Sequence, residues 1–221
     1  MQAEEKLLDS YVIEPTGSVK YSVIWLHGLG ADGYDFAPIV NQLQLSMKEN
    51  IRFIFPHAPS IPVTLNNGYV MPAWFDIYGL DKNSKEDASG IELSYSLINN
   101  LIQAEHRKGI SYYNILLVGF SQGGALALYS GLKFEYKLAG IIGLSCYLPR
   151  FNQNYHSANQ ETAIMLAHGM QDHVVLPIFG EAARDRLVNL NYNVAWHSYP
   201  MQHQVCDLEI NDIARFIERC F

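Results

Sequence analysis

Five consecutive residues, Gly119-Phe120-Ser121-Gln122-Gly123, carry the strongest chemical signal in the chain. A serine hydroxyl is a weak nucleophile until a neighbouring base removes its proton. In the G-x-S-x-G spacing, glycines two before and two after the serine let a strand and a helix approach without Cβ clashes. The hydroxyl then stands on a sharp, strained turn, open to a substrate. Three fixed positions in five also arise by chance, and serine often merely caps a helix. Context separates the two readings. Residues 115–118 (ILLV) read as a strand and 124–129 (GALALY) as a helix of small and apolar residues, so Ser121 falls on the turn between them. The helix N-terminus beneath it favours developing negative charge.

An activated serine needs a base, and the base an orienting acid; with the nucleophile on such a turn both follow it, the acid first. Among the downstream acids, Asp172 stands just past a strongly apolar run (AIMLAHGMQD) in a glycine-containing turn. Asp185 and the acids from Asp207 onward fall on polar faces of helical segments, where solvated surface is the default. Of the downstream histidines, His203 follows an apolar run and precedes the last helical segment, where a loop can swing an imidazole back over a strand edge. His197 lies within that run, His168 shapes the turn carrying Asp172, and His173 is a distant second choice as base. The chemistry implied is acyl transfer: His203 takes the Ser121 proton, Asp172 holds the tautomer, and water later releases the acyl group.

A second glycine motif competes. Gly28-Leu29-Gly30-Ala31-Asp32-Gly33 is a literal G-x-G-x-x-G between a strand and a helical pattern, the fingerprint of a dinucleotide-dependent oxidoreductase. That reading requires an acid about 20 positions on to hold the ribose. The next strand instead runs into Pro56, His57 and Ala58, with no Asp or Glu. The turn serves better as half of an oxyanion hole, the backbone N–H of Leu29 joining that of Gln122, the residue after the nucleophile.

The elements that must position these groups follow from hydrophobic patterning. Residues 21–26, 51–55, 115–118, 139–144, 163–167 and 193–196 read as short strands apolar on both faces, as central parallel strands are. Segments 34–44, 89–107, 178–189 and 205–220 have helical spacing, and 11–14 adds an antiparallel edge strand. The alternation implies a mainly parallel sheet with helices on both faces, in one domain over 1–221 without a large cap. Residues 57–87 are rich in Pro, Asn and Gly yet contain Trp74 and Phe75; they read as a structured excursion over the catalytic edge. Cys146 ends an apolar run and reads as a buried hydrophobe rather than a nucleophile.

Composition narrows the classes. The 221 residues carry a formal net charge of −7, with no Lys/Arg run, which argues against nucleic acid. The N-terminus has no signal-like apolar core, and no apolar run approaches the length of a membrane-spanning helix. Three cysteines without metal-ligand spacing suit a reducing compartment, so a cytoplasmic location is expected and no metal. A non-catalytic lipid or acyl-protein binder is the remaining alternative class; complete Ser, Asp and His positions weigh against it.

Across nearly the whole chain after residue 20, the stretches LHGLGADG, FPHAP, WFDIYGL, EDASGI, GFSQGGALALY, LSCYLP, HGMQDHVV and MQHQVCDLEINDI are similar to the acyl-protein thioesterase / phospholipase–carboxylesterase family of α/β-hydrolases. The resemblance implies a Ser121–Asp172–His203 triad, oxyanion donors at Leu29 and Gln122, no cofactor, and hydrolysis of fatty acyl thioesters, lysophospholipids or short esters. Trp74, Phe75, Leu80, Tyr147 and Val174 are the expected substrate-binding residues, Trp74, Phe75 and Leu80 being equally explicable as packing of the long loop. Tyr147 is a departure, since related sequences usually carry Trp in the segment resembling LSCYLP. Expected partners are an acyl ester or thioester substrate, with transient membrane-surface contact and either a monomer or a homodimer left open.

Overall fold

Near-continuous burial along the central strands organises the computed structural model, which describes residues 7–79, 84–153 and 155–221. Seven strands form one sheet in the order β1-β3-β2-β6-β7-β8-β9. They are β1 (Ser10–Ile13), β2 (Tyr21–Leu26), β3 (Ile51–Pro56), β6 (Ile115–Phe120), β7 (Gly140–Leu144), β8 (Ala163–Gly169) and β9 (Val194–Tyr199). Only β1 runs antiparallel, pairing with β3 at the edge. The parallel strands carry apolar residues on both faces because both are covered. Val23, Trp25, Phe53 and Phe55 share one cluster with buried residues of segment 37–45 and of α4 (Asp207–Cys220), whereas Ile24, Leu26 and Leu117 pack under α1 (Ala88–Arg107) and α2 (Gln122–Lys133). A third cluster joins Ile141, Ile164 and Leu166 to α3 (Pro177–Asn189).

Two expectations change. The helical spacing at 34–44 yields only a 3₁₀ turn over Ala37–Asn41, with Pro38 at its start. Its apolar residues Ala37, Ile39, Val40 and Leu43 are buried all the same. A segment this short gains little from α-helical propagation, and the sheet rewards the burial in either geometry. The excursion at 57–87 contains a two-stranded hairpin, β4 (Ser60–Val63) and β5 (Tyr69–Pro72). Asn67 and Gly68 turn it with positive φ. The Asp76 carboxylate then ties the chain back, accepting from the backbone N–H and hydroxyl of Thr64. Among the described residues no helix is long and apolar enough to cross a membrane.

Parallel register has one functional result: the C-terminal ends of β2, β6, β8 and β9 lie along a common edge. Leu26 pairs with Gly119, Phe120 with Leu144, Leu144 with Ala167, and Gly169 with Tyr199. The segments after these four strands carry the Leu29 turn, Ser121, Asp172 and His203.

Candidate active site

Ser121 sits between β6 and α2 with φ 54° and ψ −119°, a conformation unfavourable for a residue with a Cβ. The flanking glycines make it attainable. A Cβ on Gly119 would lie 2.1 Å from the Gly123 carbonyl oxygen, and one on Gly123 would lie 2.4 Å from the carbonyl oxygens of His27 and Leu26. Helix α2 therefore starts directly against the end of β2. The Ser121 N–H donates to Leu144 O at 2.8 Å, anchoring the turn to β7.

His203 Nε2 is 2.9 Å from Ser121 Oγ, and its Nδ1 is 2.6 Å from Asp172 Oδ2. The neutral ring donates from Nδ1 to the carboxylate and accepts the serine proton at Nε2. The Asp172 side chain is inaccessible to solvent, and its second oxygen accepts from the N–H groups of Val174 (2.8 Å) and Val175 (2.9 Å). A buried carboxylate needs such donors, and here the turn after β8 supplies them. The ring of Phe120 packs 4.7 Å from the His203 ring, holding it from the side. Close backbone contact brings the two loops together: a Cβ on Gly169 would lie 2.4 Å from Met201 O.

The other histidines play different parts. His168 is buried, and its Nε2 is taken by Val175 O at 2.8 Å, with Asp172 Oδ2 farther off at 3.5 Å. Burial lowers its pKa, so the ring stays neutral and leaves Asp172 to His203. His173 is exposed beside the site, and His197 lies on β9, 3.5 Å from Asp212. Burial pushes the Cys146 thiol pKa up, making it a poor nucleophile.

The turn after β2 closes the site from above. A Cβ on Gly28 would stand 3.5 Å from Ser121 Cβ, so this backbone touches the Ser121 turn. The Gly30 N–H donates to Pro72 O at 2.8 Å, joining the turn to the hairpin. Among the described residues the Leu29 N–H donates to no acceptor in the chain. The Gln122 N–H lies in the first turn of α2, where helix geometry provides no acceptor.

A cleft of about 1060 Å³ opens next to Val174 and Val175, which hold Asp172; its lining combines Phe75, Tyr147 and Phe179 with charged Glu86, Asp87 and Arg150. Phe75, Tyr147 and Val174, three of the candidate substrate-binding residues, line it. Trp74 does not line it. This side chain is 2% exposed, and its indole Nε1–H donates to His27 O at 2.8 Å, which makes it a strap over the end of β2. Leu80 lies outside the described residues. The sequence reading missed Phe120 as a support for His203, the paired N–H groups of Val174 and Val175, and His27. Only His27 had a signal, as a histidine closing an otherwise apolar strand (YSVIWLH).

Sheet order, helices on both faces and the serine turn define an α/β-hydrolase fold. A family model described as phospholipase/carboxylesterase matches residues 8–221, and the chain belongs to that family, a family of ester and thioester hydrolases. Acyl-protein thioesterase 1 of Neurospora crassa is 41% identical over 215 residues, covering 89% of this chain and 85% of that one. Its namesake in Yarrowia lipolytica is 38% identical over 205 residues, covering 89% and 90%. Among solved structures, SOBER1 of Arabidopsis thaliana matches with TM-score 0.86 at 32% identity, covering 91% of this chain and 99% of that one. Acyl-protein thioesterase 2 of Zea mays matches with TM-score 0.84 at 28% identity, covering 96% and 98%.

Proposed function

We propose that the chain is a serine hydrolase that cleaves fatty acyl thioesters and carboxylic esters through an acyl-enzyme on Ser121, acting as one catalytic domain. The observation that carries this reading is the continuous hydrogen-bonded array from Ser121 Oγ through His203 to the buried Asp172. His203 Nε2 accepts the serine proton as Oγ attacks the acyl carbonyl, and Asp172 stabilises the imidazolium so formed. The N–H groups of Leu29 and Gln122 receive the developing oxyanion. Collapse of the tetrahedral intermediate expels the thiol or alcohol, which takes the proton from His203. Water, deprotonated by the same ring, then releases the acid. The cleft beside Phe75, Tyr147 and Val174 suits an extended alkyl chain, and the thioesterase names of the relatives favour acylated proteins as substrates.

Ser121→Ala is expected to abolish labelling by a fluorophosphonate probe and to lower kcat by several orders of magnitude, on the order of 10⁶-fold. Near-normal turnover in that variant would sink the proposal. A series of p-nitrophenyl esters beside acyl-thioesters of the same chain lengths identifies the preferred acyl group.

A further inference from the structure

His27 follows β2 directly and is buried, yet both its ring nitrogens are engaged. The Ala58 N–H donates to Nε2 at 3.0 Å. An N–H can only donate, so Nε2 carries the lone pair and the proton sits on Nδ1. Nδ1 is 2.7 Å from Gly28 O and donates to it. Burial lowers the pKa of His27, and the neutral ring is the only form that can accept from Ala58.

The Gly28 carbonyl belongs to the same trans peptide unit as the Leu29 N–H. In a planar trans peptide the C=O and N–H point in opposite directions. A ring that fixes one therefore aims the other. We infer that His27 is a positioning residue for the oxyanion hole: its Nδ1–H grips Gly28 O and turns the Leu29 N–H toward the acyl oxygen. This rests on the proposed role of Leu29 as an oxyanion donor.

The network extends to the second donor. The Gln122 side chain accepts from the Trp74 N–H at 3.0 Å and donates to Phe75 O at 2.7 Å. Trp74 in turn donates its indole N–H to His27 O and lays its ring 5.1 Å from the His27 imidazole. The residue carrying one oxyanion donor thus clamps the strap that holds His27, whose ring grips the peptide of the other. Two donors fixed relative to one another cost no reorganisation when the oxyanion forms.

Two near-isosteric substitutions separate the two ring contacts. In His27→Asn the amide nitrogen occupies the place of Nδ1 and keeps the donor to Gly28 O while losing Nε2. In His27→Gln the amide oxygen reaches the place of Nε2 and keeps the acceptor for Ala58 while losing Nδ1. The expected result is that the Gln variant loses about 10²-fold in kcat, with KM nearly unchanged, while the Asn variant stays within about tenfold of wild type. Inhibition by an alkyl trifluoromethyl ketone, whose serine adduct bears an oxyanion, weakens in parallel with kcat. The reverse order, or equal losses tracking Tm, assigns His27 to holding Ala58 and overturns the inference.

Trp74→Phe, which keeps a ring in the same space, is the second variant should both substitutions at 27 fail to fold. Loss of the indole donor is expected to lower kcat about tenfold at constant KM, and a change confined to KM overturns the strap. Fluorophosphonate labelling separates the two levels of the proposal. A Gln variant with wild-type kcat and a labelled Ser121 defeats the role of His27 alone, whereas activity in Ser121→Ala defeats the underlying reading whatever stands at position 27.

Discussion

Asp172 holds its place by a division between its two oxygens. One takes the Val174 and Val175 N–H groups; the other takes His203 Nδ1. Asp172→Asn preserves the shape but can present an amide N–H where His203 needs an acceptor. The imidazole would then turn its proton to Nε2, facing Ser121 Oγ, in the tautomer that cannot act as base. The expected loss is about 10⁴-fold in kcat, with the fold intact by circular dichroism. Retention of more than a tenth of wild-type kcat would remove Asp172 from the proposed mechanism. The choice of Asp172 over eight other downstream acids was legible because it alone follows a strongly apolar strand. The two valine N–H groups were not, since backbone donors leave no trace in residue type.

At the scale of elements, the close approach of α2 to β2 is what sets the serine turn under the Leu29 turn. Gly123 permits it, because a Cβ there would meet two backbone oxygens, those of His27 and Leu26, at 2.4 Å. Neither can rotate aside. Gly123→Ala is therefore expected to cost on the order of 1–3 kcal/mol, read from urea unfolding, and to lower kcat by separating the two turns. A variant equal to wild type in both would mean that α2 has freedom to shift. The strand positions were readable from apolar runs, and α1, α3 and α4 from helical spacing. The 34–44 segment misled because a 3₁₀ turn and an α-helix bury much the same apolar positions. The hairpin of β4 and β5 was hidden within a Pro- and Asn-rich stretch whose turn signal, Asn67-Gly68, went unused.

At the scale of the whole molecule, one buried acid links stability to pH. Glu209, in the first turn of α4, is fully buried, and neither carboxylate oxygen makes a formed hydrogen bond. Burial pushes its pKa up to about 8; the Cys206 N–H offsets part of this, and the Asp212 charge adds to it. Tyr199 also neighbours it. Between the unfolded value of 4.5 and about 8 the folded chain retains a proton that the unfolded chain has lost. Stability therefore falls as pH rises through that window, and the penalty is absent below it. Glu209→Gln should raise stability at pH 8 by roughly 4 kcal/mol relative to wild type, with the gain vanishing toward pH 4 in thermal melts. A gain independent of pH would mean that the carboxyl is not protonated in the folded chain.

Residue type, spacing and strand-helix alternation by themselves determined the sheet, the serine turn, and Ser121, Asp172 and His203 in their order, because each leaves a local signature in composition or period. Tertiary structure decided the rest. It made Trp74 a strap rather than a wall, set the orientation of the Gly28–Leu29 peptide, and gave His27 its tautomer. The strap and the tautomer depend on hydrogen bonds between residues that are 31 to 48 positions apart, which no local pattern encodes, and the tautomer in turn directs the local bond to Gly28 O.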